Sequence, residues 1–216
     1  MPRCFIDHIA VTAPTLEAGA DYVRRALGVS PASGGEHPRI GTHNMLLRLG
    51  DTVYLEVIAI NPAAPAPGRP RWFGLDELTP DTPPRLASWV ARTADIHTSH
   101  AASTEALGDI EPMSRGALNW QISIPQDGKL VLGGTAPSLI QWETEALPPS
   151  RMQDLGLTLT QLELFHPEPE RLVALLQSLD VDGPVSVCPL PAGQQPYLVA
   201  HIDSLQGPRI LSGQAG

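Results

Sequence analysis

The sequence predicts an α+β protein rich in antiparallel strands, and three observations carry the prediction. From Phe5 to Ile60, apolar residues alternate, shift to helical spacing and then alternate again, which is the order strand, helix, strand. Beyond residue 85, short alternating runs recur between turn residues, with only two further helical stretches. The stretches from Phe5 to Val29 and from Leu157 to Val181 also share one order: strand, proline, helix, turn, valine.

In the first strand, alternation puts Ile6, His8 and Ala10 on one face and Phe5, Ile9 and Val11 on the other, which the helix is expected to cover. Thr15 suits the helix N-cap and Glu17 its positive end, while Leu16, Ala20, Val23 and Leu27 recur at helical spacing before the Gly28 stop. Gly34, Gly35 and Gly41 mark a loop in need of unusual backbone angles, followed by the strand from Val53 to Ala59. In that strand Glu56 shares a face with Tyr54 and Ile58. A carboxylate there is costly unless paired, protonated or bound to a cation.

Prolines, 23 in all, cluster between Asn61 and Pro70 and around Thr79 to Pro84, which reads as an extended connector. After it, Leu86 to Ala91 reads as a strand or a short buried helix, and His97 to Leu107 as a helix. Leu118 to Ile124 and Ser138 to Glu143 read as strands. The last part offers a strand from Leu157 to Phe165, a helix from Pro167 to Leu179 and strands at Val185 to Val187 and Tyr197 to Ile202. The expected division is 1–60, a connector at 61–85, then 86–147 and 148–216, all within one compound domain.

The 216 residues are enough for a real core. The charge of −9 comes without any Lys/Arg cluster interleaved with aromatics, which argues against a nucleic-acid surface. No apolar run reaches the length of a membrane span or has the pattern of a signal peptide, so a cytoplasmic protein with no membrane partner is expected. Cys4 and Cys188, far apart and without CxxC spacing, read as reduced thiols. No nucleophile elbow, P-loop, GxGxxG or HExxH occurs, which leaves no support for hydrolases, zincins or a nucleotide cofactor.

The strings IDHIAV, GGEHPRIGTHNMLLRLGDTVYLEVIA, RWFGLD, SRGALNWQISIP and PSLIQWE, in that order, resemble the glyoxalase-like domain proteins of the vicinal oxygen chelate superfamily. The likeness runs from Phe5 to about Leu179. It implies paired βαβββ modules whose curved sheets enclose a cavity, and the repeated strand-helix order from Leu157 adds a partial module at the C-terminus. It also implies a divalent metal held by a first-strand His and a last-strand Glu, with further ligands from the second module. His8 and Glu56 match those positions. The second module offers Ser88 where a His is expected, and Gln141 or Glu143 on its last strand.

The implied function is that of a glyoxalase-like small-molecule enzyme, a metal-dependent lyase or isomerase. The alternative is a metal-free binding protein of the same fold. Zn, Mn, Ni and Fe all suit an imidazole with a carboxylate. Glu56 and His37 are the candidate catalytic residues, and His8, Glu56 and Gln141 the candidate metal ligands. Asn44, Trp72, Arg115 and Trp142 are the candidate substrate contacts. Each has a plainer reading beside it. His8 reads also as a core histidine held by Asp7, Glu56 as a partner of Arg48 or Arg115, and His37 and Asn44 as stitches of a tight hairpin. Trp72 and Trp142 read also as core, and Arg115 as a surface cation. Pairing of the modules within one chain and across a homodimer both stay open.

Overall fold

A computed structural model describes residues 2–116, 118–144 and 146–214. Eight strands form one curved sheet. β1 (Phe5–Thr12), helix α1 (Leu16–Leu27), β2 (Ala32–His37), β3 (Thr42–Arg48) and β4 (Tyr54–Ile60) form a βαβββ module. β5 (Arg85–Arg92), α2 (Ile96–Ala102), β6 (Asp109–Arg115), β7 (Leu118–Ile124) and β8 (Ser138–Trp142) form another. The strand order β2-β3-β4-β1-β5-β8-β7-β6 joins them within one chain through the antiparallel pair β1 and β5, while β1–β4 and β5–β8 are parallel. This is the expected paired-module architecture.

The capping residues act as their types predict. Thr15 Oγ1 accepts from the Ala18 amide at 3.1 Å, and Gly28 closes α1 in the left-handed region at φ 78°. Helix α2 begins with Asp95 accepting from the Thr98 amide, but it stops at Ala102, short of the expected Leu107. There Ser103 Oγ bonds both the carbonyl and the amide of Glu105, and this local pairing replaces the helical one.

Two strands lie where a loop was expected. Gly34 and Gly35 sit inside β2, and only Gly41, at φ 70°, needs the left-handed region. β6 also went unread, because Pro112 lies within it. The strand tolerates proline at the sheet edge, where one face of its backbone has no partner. The stretch from Leu86 to Ala91 is strand, and Phe5, expected under α1, is 38% exposed beneath the Arg92 guanidinium.

β9 (Thr158–His166), α3 (Pro169–Ser178), β10 (Val185–Pro189), β11 (Tyr197–Ser204) and β12 (Gly207–Ser212) form a second sheet, ordered β10-β9-β11-β12. Here the strand after the helix pairs directly, and in parallel, with the strand before it. In the first module that strand lies at the far edge, so the sequence repeat covers the strand-helix pair alone. The small sheet covers the convex side of the large one. A single apolar core joins Ile9, Val11, Val23 and Trp89 to Leu164, Leu172, Leu198 and Leu211.

A separate apolar cluster fills the concave side, where Trp72, Phe73 and Leu75 are buried among Ile58, Val90, Trp120, Ile122 and Ile140. These three come from the 3-10 segment Trp72–Glu77 in the middle of the connector, between its two proline clusters, which folds into the mouth of the sheet. Phe73 takes φ 55° and ψ 25°, a left-handed conformation costing roughly 1–2 kcal/mol outside glycine. Among the described residues no helix is long and apolar enough to cross a membrane.

One core shared by both sheets predicts one unfolding transition. Urea denaturation followed by circular dichroism and by tryptophan fluorescence should give coincident curves. A separate early transition would show that the C-terminal sheet stands on its own.

Candidate functional site

The concave face carries a small cavity with about 30 Å³ of free space, room for one or two water-sized guests. His8 from β1, Asn44 from β3 and Glu56 from β4 line one wall, and Trp120 and Trp142 from the second module line another. His37, Trp72 and Arg115 complete it. Seven candidates drawn from the sequence thus meet in one place.

Gln141 does not join them. It points to the other face of β8, where Oε1 accepts from the Ile96 amide at 2.8 Å and caps α2. Glu143 pairs with Gln121 instead. The strand register explains why neither serves. Glu56 lies opposite Ala10, two residues beyond His8; the same step on β5 runs from Ser88 to Val90, whose partner is Ser138. His8 and Ser88 also each precede their helix caps, Thr15 and Asp95, by the same seven residues. Ser88 and Ser138 are therefore the second module's counterparts of His8 and Glu56.

His8 stands between two buried carboxylates. Its Nδ1 lies 2.7 Å from Asp7 Oδ1 and its Nε2 lies 3.6 Å from Glu56 Oε2. Asp7, its neighbour in sequence, should point away by alternation, but a bulge between Ile6 and His8 in the β1–β5 pairing re-aims it. Its other oxygen accepts from Trp142 Nε1 at 2.9 Å. The Tyr54 ring stacks on the imidazole at 4.5 Å. Burial, then the charges of Asp7 and Glu56, push the Tyr54 hydroxyl well above its ordinary pKa. In the sequence Asp7 reads as the partner of His8 and Tyr54 falls on the face of Glu56, but neither stands out there as a site residue.

Asn44 fastens Glu56 to the far side of the site. Its Nδ2 donates to Glu56 Oε1 at 2.5 Å, and its Oδ1 accepts from the Gly35 amide at 2.8 Å and from Arg115 Nη1 at 3.3 Å. The glycine pair exists for this arrangement. A Cβ on Gly34 would fall 2.2 Å from Asn44 Oδ1, and one on Gly35 would fall 2.7 Å from Arg115 Cδ. Among the described residues Arg115 Nη1 meets Asn44 and, at 3.5 Å, His37 Nε2.

His37 is a neutral wall of the site. Burial, opposed by Glu56 and helped by Arg115, lowers its pKa to about 4. Nδ1 meets Thr42 Oγ1 at 3.1 Å and Nε2 faces Arg115, so the ring seats the guanidinium and leaves no nitrogen toward the free space. Trp72 contacts the ring edge-on at 5.0 Å. The Trp72 Nε1–H is buried with no acceptor among the described residues.

With Nδ1 turned to Asp7, His8 presents the Nε2 lone pair to a carboxylate oxygen, and a gap between two acceptors suits a positive charge. Two donors on one ion at about 2.1 Å each stand about 3 to 3.6 Å apart, so the spacing fits a shared divalent cation. Among the described residues no group of three His, Cys, Asp or Glu is arranged around a metal, and Ser88 and Ser138 are weak ligands. An ion on His8 and Glu56 would keep its remaining positions for water or substrate.

The profile of the Glyoxalase-like domain family matches residues 6–179. A hypothetical protein from Staphylococcus aureus shares the fold with a TM-score of 0.60 and 13% identity, over 90% of both chains. A triply substituted 4-hydroxymandelate synthase from Streptomyces coelicolor aligns with a TM-score of 0.50 and 16% identity, over 98% of this chain and 63% of that one. A methylmalonyl-CoA epimerase variant from Streptomyces coelicolor, in complex with 2-nitronate-propionyl-CoA, has 18% identity and a TM-score of 0.43, covering 64% of this chain and 97% of its own. No curated protein matches the chain significantly.

The low pKa of His37 makes stability depend on pH. Below 6.5 the unfolded His37 takes a proton that the folded one refuses until about pH 4, so stability is full above 6.5 and drains as pH falls through that window. At about 1.4 kcal/mol per pH unit, wild type should lose about 2–3 kcal/mol more than His37→Gln between about pH 7.5 and about pH 4.5 in urea unfolding. Equal losses would contradict this.

On the match of the family profile over residues 6–179, the chain belongs to the Glyoxalase-like domain family.

Proposed function

We propose that the chain is a small-molecule enzyme of lyase or isomerase type, moving a proton at a carbon beside an oxygen function of its substrate. The observation that carries this reading is the facing pair His8 Nε2 and Glu56 Oε2, each fixed from behind by Asp7 and Asn44. Such backing keeps a reacting group in one orientation. Glu56 Oε2, the oxygen that Asn44 leaves open, is the group that either ligates an ion or accepts the proton, one at a time. Arg115, lacking a described carboxylate partner at Nη1, holds an anionic oxygen of the substrate. Trp72 Nε1–H is the second donor for a substrate oxygen. The apolar walls, Trp120, Ile122 and Ile140 among them, exclude water and strengthen each of these contacts.

His8 and Glu56 are the residues that would hold a divalent ion. Bound there, Zn, Mn, Ni or Fe would supply Lewis-acid stabilisation of charge developing on the substrate's vicinal oxygens.

A metal-free binding role for the same cavity is the second reading, favoured by one observation. Ser88 and Ser138 stand where the second module should supply ligands. Elemental analysis of protein purified without chelator separates the two: about one transition metal per chain supports the enzyme, and none supports the binder.

Proton transfer has a direct readout in deuterium uptake. Hydroxyacetone and pyruvate incubated in D₂O with the protein and each of the four metals should gain deuterium, scored by mass spectrometry. Glu56→Gln should slow uptake by about 10²- to 10⁴-fold, the usual worth of a positioned base. Uptake unchanged in Glu56→Gln would remove Glu56 from the reaction.

A further inference from the structure

Arg115 has two sides. One faces the cavity with His8 and Glu56, and the other closes the inner end of a pocket of about 290 Å³ that the function above does not use. Leu46, Leu118, Pro148, Met152 and Leu155 line that outer pocket. It has the volume of a small ligand site, apolar walls and one cation at its inner end. Arg48 at its rim is already held by Asp51 at 2.6 Å, with Asp154 at 3.8 Å. Arg115 at the threshold has the Gly35 backbone beneath it, where a side chain would displace it.

We propose that this outer pocket binds the apolar body of an organic carboxylate whose anionic group sits on the Arg115 guanidinium. A planar guanidinium matches a carboxylate with two parallel hydrogen bonds. Arg151, exposed, lines the pocket too, but Arg115 is the cation shared with the inner cavity, and the largely apolar walls suit a hydrophobic body carrying a single carboxylate. The free space beside Glu56 admits only one or two small atoms' worth of ligand, so the bulk of any substrate needs another chamber, and the outer pocket adjoins it through Arg115. This assignment deepens the proposed function by naming its substrate class. It concerns binding alone, and so it can stand or fall apart from proton transfer at Glu56.

Isothermal titration calorimetry tests it with sodium 4-phenylbutyrate, 4-phenylbutan-1-ol and sodium acetate. Phenylbutyrate should bind once per chain, and the alcohol and acetate should each bind at least tenfold more weakly. Arg115→Met should weaken phenylbutyrate at least tenfold. Met152→Trp and Leu118→Trp, two independent ways to fill the pocket, should do the same while the circular dichroism spectrum stays that of the wild type. Glu56→Gln should leave the affinity within threefold or raise it, since binding needs no base. No binding of phenylbutyrate, equal binding of acid and alcohol, or full affinity in both filled variants would overturn the proposal. Loss of deuterium uptake with phenylbutyrate binding intact would overturn the proposed reaction and leave the pocket.

Discussion

One imidazole between two buried carboxylates is the constraint that shapes the inner half of this molecule. Asp7, His8 and Glu56 are each less than a tenth exposed, and carboxyl groups so buried need partners, which three of their four oxygens have. Trp142 supplies one from the second module, Asn44 another, and the bulge in β1 brings Asp7 round to a third contact with His8. Asn44 in turn needs the bare backbone of Gly34 and Gly35, and Arg115 needs it too. The connector then folds Trp72 and Phe73 over the top, which dries the site and strengthens every charge in it.

The two modules share a frame and differ in chemistry. Their strands pair alike and their helix caps fall at equal spacing, yet His8 and Glu56 have Ser88 and Ser138 as counterparts. The site is therefore one-sided: the first module brings the ionisable groups, and the second brings indole walls and Arg115. A cation seated on His8 and Glu56 would be bound by few protein donors and open to substrate, the arrangement that favours catalysis over structural binding.

Much of this was legible in the sequence. Alternation set His8 and Glu56 apart from the helix-covered face, because successive side chains of a strand point to opposite faces, and the caps of α1 announced themselves. What stayed hidden breaks a local rule for a long-range reason. Asp7 was legible as a partner of His8, but the bulge that aims it there is set by pairing with β5, some eighty residues away in sequence. Gly34 and Gly35 looked like a loop, yet they are strand residues kept small by Asn44 and Arg115. Gln141 looked like the second module's ligand from its place on the last strand, because sequence spacing does not reveal strand register, and the register assigns that place to Ser138. The proline-rich connector looked like a spacer, and its middle, Trp72–Glu77, plugs the cavity.

The claim on which the rest turns is that the gap between His8 Nε2 and Glu56 Oε2 is built for a cation. Calorimetric titration of chelator-treated protein with Zn²⁺, Mn²⁺, Ni²⁺ and Fe²⁺ under anaerobic conditions addresses it directly. One site per chain is expected for at least one of these ions, weakened at least tenfold by His8→Ala and by Glu56→Gln and untouched by Gln141→Ala. Binding that survives both His8→Ala and Glu56→Gln, or no binding by any of the four, would contradict it.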